Sequence, residues 1–132
     1  MTRAGKAVEF KKRNNCCQAV LLAFADKLPF DEMTLRQMGS GFGSGMGCME
    51  ATCGALCGAC IAAGFLNNTG RPTSMISRMI LNEFQSACGA TICKDLKVIS
   101  TGKVLCSCDD CVKNAVLALE KNLKIENCYT RM

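Results

Sequence analysis

The sequence predicts an all-α domain, a single compact bundle of about five helices in which a glycine-rich loop feeds a buried central helix. Three observations predict it. Apolar residues recur at helical spacing in several segments, no segment sustains the period-two alternation of a half-buried strand, and 132 residues suit one hydrophobic core. Nothing in the chain reads as an internal repeat or a low-complexity linker, so residues 1–132 form one cysteine-rich domain.

From Lys6 to Lys27, Cys17, Val20, Leu21, Phe24 and Leu28 follow helical spacing and Pro29 ends the run. This predicts one amphipathic helix with Cys16 and Cys17 in its middle, of which only one thiol can face a given site. Asp31 is a plausible N-cap for a short helix from Glu32 to about Met38. Glycines then alternate at Gly39, Gly41, Gly43, Gly45 and Gly47. All occupy odd positions, so neither GxGxxG nor GxxxxGK is present. Such a loop can approach a ligand closely and aim N–H groups at an anion or a bound sulfide, or it can pack tightly between helices. The N–H donors this reading selects are those of Gly43, Gly45 and Gly47.

Between Arg36 and Arg71 the only charged residue is Glu50. The central helix is therefore expected to be buried, starting near Glu50 and closing at Gly64. Cys53, Cys57 and Cys60 would then share one face, at i, i+4 and i+7. A charge-free stretch of about 16 residues gives a helix of roughly 24 Å, shorter than a ~30 Å hydrocarbon core, so no membrane span is expected. Pro72 with Thr73 or Ser74 marks the next helix, carrying Ile76, Met79, Ile80, Phe84 and Ala87 inward and closing at Gly89. Ile92, Cys93 and Leu96 suggest a short helix, and a loop with Thr101 and Gly102 leads to CSCDDC. The last helix runs from about Asp109 to Lys124, with Val112, Val116, Leu119 and Leu123 facing the core.

Twelve cysteines, no tryptophan, one tyrosine and six phenylalanines make the conventional core thin, so thiols must fill the interior or hold something that does. The absence of histidine removes the usual general base, the Cys-His nucleophilic pair and imidazole zinc sites. What chemistry is left belongs to sulfur. The start, MTRAGKAVEFKKRNN, has no apolar run of a secretory signal, and the reading is a cytoplasmic protein whose cysteines stay reduced. The net charge of +5 is spread along the chain. Its one dense cluster, Lys11, Lys12 and Arg13, has no interleaved aromatics, which argues against nucleic acid. Four thiolates on a dicationic cluster leave a charge near −2, which a basic shell offsets.

Two local sulfur groups stand out, Cys48, Cys53, Cys57 and Cys60, and Cys106, Cys108 and Cys111. Their gaps match neither the pairs of a zinc ribbon nor the ferredoxin run. The CxxC pairs Cys57 to Cys60 and Cys108 to Cys111 suggest a thioredoxin-like reading. That motif works at a helix N-terminus after a strand, whereas Cys57 falls in mid-helix and Asp109 and Asp110 oppose a thiolate at Cys108.

The motifs NCCQAVLLAF from Asn15, SGFGSGMG, TCGALCGA from Thr52, ICKDL from Ile92 and CVKNAV from Cys111 resemble, in order, those of the C_GCAxxG_C_C family of redox-active proteins. The resemblance covers nearly the whole chain and places the family's four cysteines on Cys16, Cys53, Cys93 and Cys111. It implies a redox-active or metal-binding protein. A similar domain in split-Soret cytochromes is associated with an iron–sulfur centre, although the haem-attachment motif CxxCH is absent here. Cys57, Cys60 and Cys108 are further metal-ligand candidates beyond the signature.

The resulting expectation is an iron–sulfur protein, an electron carrier or a component of an oxidoreductase, with Cys16, Cys53, Cys93 and Cys111 converging on one cluster. A redox partner protein is implied, with no nucleic acid and no membrane, and self-association is compatible with it. The alternatives are a metal-free thiol–disulfide protein, a soft-metal (zinc or copper) binding protein, and an interaction module with a cysteine-rich core.

Overall fold

The computed structural model describes residues 1–97 and 104–130. The expected loop at Thr101 and Gly102 lies outside the described residues. Within them the chain is all-α, with seven α-helices rather than about five: α1 (Arg3–Lys11), α2 (Cys16–Ala23), α3 (Glu32–Gly39), α4 (Gly54–Leu66), α5 (Thr73–Cys88), α6 (Cys93–Lys97) and α7 (Cys108–Leu123). The only pairing of extended backbone among the described residues is two isolated antiparallel bridges, Thr2 with Cys128 and Thr52 with Ile92.

The first difference from expectation is that Lys6 to Lys27 holds two helices. α1 stops at Lys11, and Asn15 starts α2 through a capping box: its side chain accepts from the Gln18 N–H at 2.8 Å, while Gln18 Oε1 accepts from the Asn15 N–H at 2.9 Å. Cys16 and Cys17 therefore open a helix instead of sitting in the middle of one. α2 is also the most deeply buried element, with every residue from Ala19 to Ala23 inaccessible to solvent. It packs most extensively on α4 and also touches α1, α3 and α7.

The second difference concerns α4. It begins at Gly54 and runs past Gly64 to Leu66, with Cys53 as its N-cap. Cys53, Cys57 and Cys60 thus do not form one buried face: Cys53 is buried, whereas Cys57 and Cys60 are half-buried. The close approach of α4 to α2 depends on Gly58, where an added β-carbon would lie 2.8 Å from the Cys17 carbonyl oxygen and 3.1 Å from the Val20 β-carbon. Backbone meets backbone there.

The third difference is the glycine segment, which holds short helical turns where a loop was expected. A 3-10 turn covers Ser40–Phe42, and Ser44, Gly45, Met46, Gly47 and Met49 all have positive φ. Non-glycine residues rarely adopt that conformation, and each one costs roughly 1–3 kcal/mol. Such strain is held only where the surroundings over-determine it.

The remaining elements follow the sequence. Asp31 caps α3 through the Thr34 N–H at 2.8 Å, Gly89 closes α5 in the left-handed conformation, and Ser107 caps α7 through the Asp110 N–H at 3.1 Å. Ile76, Ile80 and Phe84 of α5 and Val112, Val116, Leu119 and Leu123 of α7 are buried in the shared core, whereas Met79 and Ala87, expected on the inward face of α5, are exposed. No described helix is long and apolar enough to cross a membrane.

Arg3 fastens the two ends of the fold. Its buried guanidinium donates to both Asp26 oxygens, to the Ala23 carbonyl at 2.9 Å and to the Cys128 carbonyl at 2.9 Å, and lies 3.3 Å from Glu120 Oε2. Burial by itself raises the pKa of Asp26, but hydrogen bonds from Arg3 and Thr130 outweigh it and hold the carboxyl below its ordinary value. Burial pushes Glu120 up despite Arg3.

Candidate metal centre

Four cysteines line one partly open cavity of about 310 Å³: Cys16, Cys53, Cys93 and Cys108. Each stands at the start of a helix. Cys16, Cys93 and Cys108 are the first residues of α2, α6 and α7, and Cys53 is the N-cap of α4. The amino ends of α2, α4 and α7 carry partial positive charge and N–H groups without intrahelical partners, a setting that favours thiolates and anionic ligands. Local chemistry explains how the four arrive there.

Cys53 and Cys93 are brought together by the backbone. The Cys53 N–H donates to the Thr91 carbonyl at 2.8 Å and the Cys93 N–H donates to the Ala51 carbonyl at 3.0 Å, a reciprocal pair around the Thr52–Ile92 bridge. Gly45 closes in from the other side. With φ at +58° and a built β-carbon falling 2.7 Å from that of Cys93, this position admits only glycine. Asn15, besides starting α2, donates through Nδ2 to the Gly39 carbonyl at 3.1 Å, which fixes the α2 start against the end of α3.

The thiols act on one another. The Cys16 pKa is raised, first by its hydrogen bond with the Cys108 side chain, then by burial and by the Cys108 and Cys53 charges, while Lys11 pulls it down. Lys11 also lines the cavity, so a cation stands ready beside the place where negative charge would gather.

A second group lies deeper. The sulfurs of Cys88, Cys106 and Cys111 all fall within 4.8 Å of one another, and all three residues are buried. Cys88 is pushed up to about 12 by burial and by its hydrogen bond with Cys106, against a lowering hydrogen bond from Asn114. The Asn114 amide donates to Cys88 Sγ at 3.5 Å, and Cys111 Sγ donates to the Cys106 carbonyl at 3.7 Å. Cys53, on the cavity wall, raises the pKa of Cys16, Cys17, Cys57 and Cys88 through its charge.

Of the four signature cysteines, the structure therefore brings Cys16, Cys53 and Cys93 together around the cavity and puts Cys108 beside them, with Cys111 in the deeper group. Cys57 and Cys60 lie outside both, on the side of α4 that faces α5. Burial and the neighbouring Cys60 and Cys53 push Cys57 up to about 11, and burial raises Cys60 against a lowering hydrogen bond from Ser77. Of Gly43, Gly45 and Gly47, only Gly45 lines the cavity. Gly43 packs on the Asn15 side chain, and Gly47 faces open space. Sequence reasoning assigned no role to Cys88, whose neighbours Cys106 and Cys111 follow it only after α6 and the residues beyond; proximity of that kind leaves no local spacing to read.

Fold and site together define an all-α, cysteine-rich protein with twelve free thiols and a buried cysteine group able to hold a metal ion. The chain matches, over residues 14–122, the family described as "Putative redox-active protein (C_GCAxxG_C_C)" and belongs to it. No curated protein and no solved structure matches it.

Proposed function

We propose that this protein is a cytoplasmic electron carrier that holds an iron–sulfur cluster in the cavity through Cys16, Cys53, Cys93 and Cys108. One observation carries the reading: four thiols from four separate helix starts line a single partly open cavity of about 310 Å³. Cysteine thiolates are the usual ligands of such clusters. The site's other features suit a cluster of net negative charge, with Lys11 on the wall and the amino ends of α2, α4 and α7 directed at it. Bound there, an iron–sulfur cluster supplies a one-electron couple. The chain's own part is to keep water from the buried side, to hold the four sulfurs in place through the Thr52–Ile92 bridge and the Asn15 and Ser107 caps, and to present half-buried Cys16 and Cys108 toward a redox partner.

The test is the visible spectrum of anaerobically purified protein. The reading expects a coloured protein that dithionite bleaches and an oxidant restores. A colourless protein that cannot be reconstituted with iron and sulfide overturns it.

The contact between Cys16 and Cys108 favours a second reading, a metal-free dithiol that passes two electrons and two protons to a partner's disulfide, or to a peroxide, and is left as one Cys16–Cys108 disulfide. It expects that disulfide, mapped by peptide mass spectrometry, to form reversibly in protein containing no iron. Thiols that oxidise independently of each other contradict it.

A further inference from the structure

From the deeper group we infer a second metal site, separate from the cavity, in which Cys88, Cys106 and Cys111 bind one copper(I) ion with three sulfurs. The three come from different places: the last residue of α5, the segment preceding α7, and the first turn of α7. Their sulfurs already lie within 4.8 Å of one another. An ion about 2.3 Å from each of three sulfurs in a plane sets them roughly 4 Å apart, so the group needs to close by less than an ångström. As inert core residues these thiols would need no common centre. Three of them converge on one point instead, and Asn114 turns an N–H toward one of the sulfurs.

The donor set selects the ion. All-thiolate coordination favours soft cations such as copper(I) and zinc(II). Zinc in a closed protein site takes four ligands. The chain has no histidine, and among the described residues no fourth cysteine or carboxylate falls within the group. Cys53 acts on Cys88 yet lies outside it. Copper(I), a closed-shell ion content with three sulfurs, fits what is there. It enters as copper(I), so no electron moves, and each sulfur that becomes a thiolate ligand releases one proton to solvent. The Asn114 N–H offsets part of the negative charge that results.

The experiment is an anaerobic competition titration of the fully reduced 132-residue chain with copper(I) held by a chromophoric chelator. Three proteins are compared: the wild type, a cavity variant (Cys16→Ser, Cys93→Ser and Cys108→Ser together) and Cys106→Ala, whose small apolar side chain suits the core. Helix content by circular dichroism accompanies each titration. Loss of an outer partner alone weakens metal sites by 10- to 100-fold, so loss of a ligand should weaken the first equivalent by at least about 100-fold. The expected result is a first equivalent of equal affinity in the wild type and the cavity variant, with three sulfurs by X-ray absorption, and that loss in Cys106→Ala. Should Cys106→Ala lose its helices, Cys88→Ala takes its place. A first equivalent bound as tightly without the Cys106 or Cys88 sulfur, one lost in the cavity variant, or one that zinc(II) displaces with a fourth ligand overturns the inference. Iron and sulfide in the cavity are not read by this titration, so its failure leaves the cluster proposal standing.

Discussion

The thiol of Cys16 is hydrogen-bonded to that of Cys108, joining the first residue of α2 to the first residue of α7. Two helix starts far apart in the chain thereby meet at one wall of the cavity. If no metal separates them, mild oxidation should link these two sulfurs before it links Cys57 to Cys60. Peptide mapping of iron-free protein checks this, and a dominant Cys57–Cys60 linkage contradicts it.

Gly45 is the tightest steric constraint on the site. Gly45→Ala places a β-carbon against Cys93 and leaves a non-glycine residue at positive φ, an expected cost of about 1–3 kcal/mol. Because the residue displaced is Cys93, iron content should fall along with the denaturation midpoint. Gly58→Ala, which meets the Cys17 carbonyl and Val20, should cost a similar roughly 1–3 kcal/mol by prying α4 from α2, and should lower thermal stability even in metal-free protein.

Asp26 links stability to pH. Its carboxyl, almost wholly inaccessible and bonded to Arg3, has a folded pKa below its ordinary value of 3.8. A lowered carboxylate pKa contributes stability that is present above the unfolded value and lost as pH falls through the folded one. Asp26→Asn should therefore destabilise at neutral pH by about 3 kcal/mol, the scale of breaking a buried ion pair. Its gap from the wild type should close in acid, below the ordinary aspartate range. Glu120 works oppositely. Its raised pKa contributes stability below the unfolded value that is lost as pH rises through the folded one. Denaturant titrations from acid to neutral pH separate the two.

Much of this fold is legible in the sequence because caps and periodicity are local. Asp31, Pro72 with Thr73, and Gly89 mark ends of α3 and α5 by side-chain or backbone chemistry that needs no distant partner. The break between α1 and α2 escaped the apolar spacing, although Asn15 and Gln18, three apart, form the capping box that signals it. The start of α4 carried no such mark, since Cys53 caps it without a side-chain hydrogen bond. Cys16, Cys53 and Cys93 could be singled out from motifs, but Cys108 and Cys111 lie only three residues apart on α7. Which of them faces the cavity depends on how α7 is rotated against α5 and α4, and only packing sets that.

Cluster loading should also stabilise the chain, because ligands from α2, α4, α6 and α7 would be tied through one centre. Thermal unfolding of loaded protein should begin at a higher temperature than that of protein stripped by a chelator under anaerobic conditions. Equal midpoints would mean that the bound metal does not bridge these helices.

The most direct measurement is iron and acid-labile sulfide per chain in anaerobically purified wild type, Cys108→Ser and Cys111→Ser. A cluster in the cavity predicts iron and sulfide in equal amounts in the wild type, most of both retained in Cys111→Ser, and nearly all of both lost in Cys108→Ser. Retention in Cys108→Ser with loss in Cys111→Ser, or a wild type that takes up neither element, would contradict the account.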